Sequence, residues 1–201
     1  MHRITPQHTP NKPLGIYAKV DISAEILKNS GMTAAQLNSY FNGLYLEMLQ
    51  NTAVSGLAIQ AHWDTLNPNP PGSAKPYDWT YLDDAFAQVW LWNWQNPNLP
   101  RKTIQLIITP GFQSPPWLLQ LLPPCDALFS GGTPASNCGS ANFANFGPEE
   151  ADGTVLPLPW NPVYKSAWRQ FLIVLNERYG WDPALVSIAV AGPTAASAEM
   201  I

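Results

Sequence analysis

The reactive side chains of this sequence are sparse and unevenly placed. Two adjacent carboxylate pairs, Asp83-Asp84 and Glu149-Glu150, are the first candidates for acid–base work. Asp83-Asp84 falls in the first turns of an expected helix, where the helix dipole accounts for it. Glu149-Glu150 lies in a Gly/Pro-rich stretch whose neighbouring side chains seldom converge on one bond, so it reads as a solvated loop. Ser114 lacks the G-x-S-x-G elbow, and no His stands where a hydrolase triad would need it. His62 has no spaced Cys or His partner with which to hold a metal. His2 and His8 belong to an extended polar arm, residues 1–14. No glycine-rich phosphate cradle follows the first strand, which ends in Lys19-Val20-Asp21. Neither a metal nor a cofactor is expected. What remains is His62-Trp63-Asp64, then Gln113, Ser114 and Trp117, and finally Glu199, each at or beyond the end of an expected strand.

Four short aliphatic runs read as those strands: Gly15 to Ile22, Gly56 to Ala61, Thr103 to Thr109 and Val186 to Ala191. Between the first two, Thr33 and Gln36 form a capping box ahead of Leu37, Tyr40, Phe41, Leu44 and Met48 at helical spacing. A second helix is expected over Thr80 to Trp94, capped by Thr80, with Leu82, Phe86, Val89 and Trp90 on its apolar stripe. Trp90, Trp92, Trp94 and Trp168 read as helix packing. A third helix starts at Asn161 and Pro162, buries Val163, Ala167, Phe171, Leu172 and Leu175, and ends at Gly180. Alternation of strand and helix implies right-handed βαβ units and a parallel sheet, hence an α/β class.

The alternation is broken by residues 112–160, rich in Pro and Gly. A loop of that length leaving the C-terminal end of a parallel strand is expected to face substrate. Helical content is expected around Trp117 to Leu122. Cys125 and Cys138, thirteen positions apart, either pair or remain free thiols. Pairing would contribute roughly 3 kcal/mol and argue for an oxidising compartment, extracellular or periplasmic.

Composition narrows the classes. The chain has 46% apolar and 12% charged residues, with ten Lys and Arg against fourteen Asp and Glu, a net charge of −4. Nothing basic enough to attract nucleic acid or an anionic membrane is present. No apolar run approaches the ~20 residues that span a bilayer, so neither nucleic acid nor membrane is an expected partner and a soluble protein is expected. The first fifteen residues hold no apolar core of a signal peptide, which suggests a leader already removed or a fragment.

Two passages resemble a known family. His62-Trp63-Asp64-Thr65-Leu66-Asn67-Pro68 followed by Tyr77-Asp78-Trp79-Thr80-Tyr81-Leu82-Asp83 looks like the clan A (β/α)8 glycoside hydrolases, in particular the β-galactosidase-like and cellulase-like members. Glu177-Arg178-Tyr179-Gly180-Trp181-Asp182-Pro183, running into Val186 to Pro193, is similar to their passage from the third helix to the fourth strand. The resemblance implies that residues 15–201 form the first four strands of a TIM barrel. It further implies a retaining hydrolase of O-glycosidic bonds in a glycan or glycoside, with Glu199 as general acid/base. Ala198 stands where many members carry Asn. Retention requires a second carboxylate about 5–5.5 Å away, which the family places on strand seven, beyond Ile201, so the chain itself is expected to be inactive.

Under the same resemblance His62 and Asp64 would bond sugar hydroxyls. Trp63 would either stack on a sugar or pack as an aromatic rim. Gln113 and Trp117 would line subsites. Lys19 and Asp21 would pair in the barrel floor or, alternatively, contact substrate. The sheet edges would await the missing half of the barrel or self-associate. Two alternatives remain: a non-catalytic carbohydrate-binding or scaffold protein derived from such a barrel, and a (β/α)8 enzyme whose strand-four Glu abstracts a proton.

Overall fold

The computed structural model describes residues 13–23, 27, 30–125, 131–133, 135–143 and 154–189. Four strands, β1 (Ile16–Ile22), β2 (Val54–His62), β3 (Thr103–Thr109) and β6 (Leu185–Ala189), form a sheet in the order β1-β2-β3-β6. Every pairing in it is parallel. The chain is therefore α/β, and the strand order follows the sequence without reversal.

Register explains which face is buried. Val20 lies opposite Ile59, which lies opposite Leu106, and Leu57 lies opposite Ile104. These side chains are all within 2% of full burial, in one core with the inner stripes of three helices. The helices are α1 (Ala34–Gln50), α3 (Thr80–Gln95) and α5 (Pro162–Tyr179). All three cover the same face, as right-handed crossovers between successive neighbouring strands require. Each buried Leu or Ile contributes roughly 1.5–3 kcal/mol. Gly56 is needed where β2 approaches β3, because a Cβ there would strike the Thr103 carbonyl oxygen.

The other face carries Lys19, Ala58, Gln105 and Ser187 in one row and Asp21, Gln60, Ile107 and Ala189 in the next. Its side chains are half-buried or exposed, in contrast to the buried row on the helix side. The expected Lys19–Asp21 ion pair is not formed. Lys19 is exposed, whereas Asp21 Oδ1 is buried without a hydrogen-bond partner. Asp83 pairs instead with Arg178.

The helix starts follow local chemistry. Thr33 and Gln36 form the expected capping box, and Asn161 Oδ1 accepts from the Val163 and Tyr164 amides. Thr80 is not a cap; it lies inside α3, and Asp78 Oδ1 accepts from both its amide and its hydroxyl, at 3.0 and 2.7 Å. The stripes also differ from expectation. In α5 the buried set is Tyr164, Phe171, Leu175 and Tyr179, while Val163 and Leu172 face outward. In α1 Tyr45 replaces Tyr40, and in α3 Trp92 is buried while Trp90 is exposed.

The long insertion has structure of its own. It holds a 3-10 turn at Gly111–Gln113, the one-turn α4 (Pro116–Leu119), and an antiparallel pair, β4 (Ser140–Phe143) with β5 (Thr154–Pro157). Cys125 and Cys138 form a disulfide, with Cα atoms 5.1 Å apart. The Cys125 amide bonds the Ser140 carbonyl, so the bridge is seated where β4 begins. Among the described residues no helix is long and apolar enough to cross a membrane.

Candidate functional site

Parallel strands point the same way, so the loops after β2 and β3 emerge together at the C-terminal end of the sheet, where open and closed α/β folds alike place their sites. His62 ends β2 beside Thr109, which ends β3. Its side chain is half-buried and falls on the uncovered face, one row above Asp21 and Gln60. Asp64 lies on the one-turn α2 (Trp63–Leu66), half-buried, and accepts from the Thr65 hydroxyl at 3.2 Å. Gln113 closes the 3-10 turn after β3 and is half-buried. Glycine is required at Gly111, the start of that turn, where φ is +75°.

Trp117 ties the two loops together. Its indole N–H donates to the Asn67 carbonyl at 3.0 Å. Asn67 is itself held by bonds from its amide to the Trp63 carbonyl and from its side chain to the Asn69 and Pro76 carbonyls. Trp117 is partly buried against the core, so it braces the rim as well as lining it.

The sugar-stacking alternative for Trp63 is corrected by its burial, which is complete. Its ring meets Trp168 at 4.8 Å and Tyr164 and Phe171 at 5.7 Å, which leaves no face open to a sugar. The signal for this was the spacing of Tyr164, Trp168 and Phe171 on α5, which brings all three onto the side facing β2. The cluster continues through Trp79, stacked on Phe171, to Tyr179 and Phe86. Asp83 closes it: Tyr179 donates to Oδ1 at 2.8 Å, and Arg178 bonds both carboxylate oxygens. Burial, with the Asp83 charge beside it, raises the Tyr179 pKa well above its usual value. Asp83 is thus a structural anchor as well as a favourable charge in the first turn of α3.

Sequence reasoning did not single out Gln60 and Gln105, whose amides share the uncovered face with Asp21 and His62. Alternation along the strands places them there. Together these groups can donate and accept hydrogen bonds to a hydroxyl-rich ligand. Glu199 and Glu149-Glu150 lie outside the described residues. Among the described residues no group of three or more His, Cys, Asp or Glu could hold a metal ion.

A cavity of about 560 Å³ lies at the opposite, N-terminal end of the strands, lined by Tyr17, Val54, Trp92, Arg101, Thr103 and others. Its one buried cation is already committed. Lys102 donates to the Asn51 and Val54 carbonyls and stands 4.8 Å over the Trp92 ring, with its pKa lowered by burial. The cavity's chemistry is mainly apolar, so the polar C-terminal end is the better candidate site.

Fold and site together define an α/β protein with a singly wound parallel sheet and a polar C-terminal rim. No family model matches the chain, and no curated protein matches it.

Proposed function

We propose that the chain is the N-terminal half of a retaining (β/α)8 glycoside hydrolase of the extracellular space or periplasm. The observation that carries this reading is the unreversed strand order with α1, α3 and α5 on one face. A sheet wound in one sense keeps its other face free to become the inside of a barrel. That face is polar here, and the loops after β2 and β3 bring His62, Asp64 and Gln113 to its C-terminal end. The disulfide is in keeping with an oxidising compartment.

In this reading Glu199 protonates the departing glycosidic oxygen, and a carboxylate from the other half of the barrel attacks the anomeric carbon. His62, Asp64 and Gln113 hold sugar hydroxyls, while Trp117 fixes the rim from which they project. The test uses the full-length protein. Glu199→Gln should lower turnover by roughly 10²–10⁴-fold on glycosides with poor leaving groups, and much less in the first step on activated ones, which need little protonation. Equal rates for wild type and variant on both substrates would remove Glu199 from the mechanism. Sugar binding without turnover by the wild type would move the protein to the carbohydrate-binding class.

A further inference from the structure

We propose that Trp90, Trp94 and Arg101 form a second glycan site on the outside of α3, suited to a mostly neutral sugar chain that carries an occasional carboxylate. The proposal rests on the glycoside-hydrolase reading for the kind of ligand, and adds a place where that ligand is held away from the chemistry.

The inward stripe of α3 is complete without these tryptophans, since Leu82, Ala85, Phe86, Val89 and Trp92 fill it. Trp90 and Trp94 are 64% and 68% exposed. Four residues apart, they are neighbours on one helix face. Their ring planes differ by only 5°, with centroids 6.4 Å apart. They border a cleft of about 200 Å³ whose other walls are Asn93 and Arg101. Two indoles in water present flat apolar surface that a sugar's CH-rich face can cover while its hydroxyls stay hydrated.

Arg101 is held in this cleft by its neighbour. The Asn93 side chain accepts from the Lys102 amide at 2.8 Å and donates to the Lys102 carbonyl at 3.0 Å, which fastens the residue after Arg101 to α3. Lys102 turns its ammonium inward to the Asn51 and Val54 carbonyls. Arg101 stays outside, exposed, and makes no ion pair among the described residues. A guanidinium beside two parallel indoles is complementary to a carboxylate on a sugar, which it can grip with two parallel hydrogen bonds. One cation on a chain of net charge −4 matches an isolated carboxylate rather than a polyanion. Arg101 precedes the start of β3, and Gln113 follows its end. The seven residues of β3 separate the two sites by roughly 20 Å.

The test is native electrophoresis of the 201-residue protein in gels containing glucuronoxylan, or the same polymer with its carboxylates reduced to alcohols. Retardation by glucuronoxylan is expected, with a dissociation constant about three- to fivefold lower than for the reduced polymer, as for an exposed ion pair. Trp90→Ala and Trp94→Ala should each abolish retardation on both polymers with unchanged melting temperature, as befits exposed side chains. Arg101→Gln should make the two polymers equivalent, and Arg101→Lys should restore part of the difference. No retardation, retardation indifferent to either tryptophan, or equal retention of the wild type on both polymers would overturn the proposal. Hydrolysis by the full-length protein is measured separately. Turnover without tryptophan-dependent retention refutes this site alone, and retention without turnover refutes the hydrolase reading alone.

Discussion

The two faces of the parallel sheet are made from alternate residues of the same strands, yet they meet opposite surroundings. On one, Val20, Ile59 and Leu106 stand in a row against three helices and are almost wholly buried. On the other, the adjacent rows read Lys19, Ala58, Gln105 and then Asp21, Gln60, Ile107, all half-buried or exposed. Stability is concentrated on the first face and hydrogen-bonding capacity on the second. Because one face alone supplies the core, the polar face is free to vary in chemistry without loss of the fold, as a binding surface must be.

The comparison can be broken most forcefully where the covered layer extends past the strands. Trp63→Ala empties the space between Tyr164, Trp168 and Phe171 and should cost about 3–5 kcal/mol. Chemical denaturation measures it, and a loss below 1 kcal/mol would return Trp63 to the candidates for ligand contact. Leu106→Ala, on the covered face itself, should cost about 2–5 kcal/mol by the same assay.

A third expectation concerns alkali. Burial raises the pKa values of Tyr45 and of Tyr179 above the ordinary 10.0. The folded state therefore holds these protons more tightly than the unfolded chain. Their stabilisation is complete below pH 10 and is lost as pH rises above it. Lys102 acts in the opposite sense, since its lowered pKa makes its burial less costly as pH climbs toward 10.5. Melting temperature should fall above pH 10, and Tyr45→Phe should flatten the fall; an unchanged slope in that variant would exclude Tyr45 as a source. The smallest effect is expected from Gln105→Ala, next to Leu106 in sequence but on the open face. It should change stability by less than about 0.5 kcal/mol, and a Leu-sized loss would mean that something does cover that face.

Much of this architecture is legible in the sequence where local chemistry decides it. Thr33 with Gln36, and Asn161 with Pro162, mark helix starts through bonds made within a few residues, and the strands show as aliphatic runs. The helix stripes were harder, because Tyr40 and Tyr45, or Trp90 and Trp92, are equally apolar on paper and only the sheet beneath decides which one turns inward. Thr80 misleads because the helix already begins at it, and its own amide and hydroxyl donate to Asp78, two residues earlier. The fate of Trp63 depends on α5, a hundred residues later, and the β4–β5 pair on contacts across a Gly/Pro-rich segment. Within the candidate site, His62, Asp64 and Gln113 follow from the strand ends, whereas Gln60 and Gln105 required the register.

Lys102 joins the end of α1, the start of β2 and the entrance to β3 through one ammonium group, with Trp92 closing it from solvent. Such an amine is out of reach of a reagent while the chain is folded, because it is buried and held to two backbone carbonyls. Acylating reagents that modify exposed lysines such as Lys19 should therefore leave Lys102 untouched until these three segments part. Its modification, followed by mass spectrometry against time, would act as an internal clock for opening of the N-terminal end of the sheet.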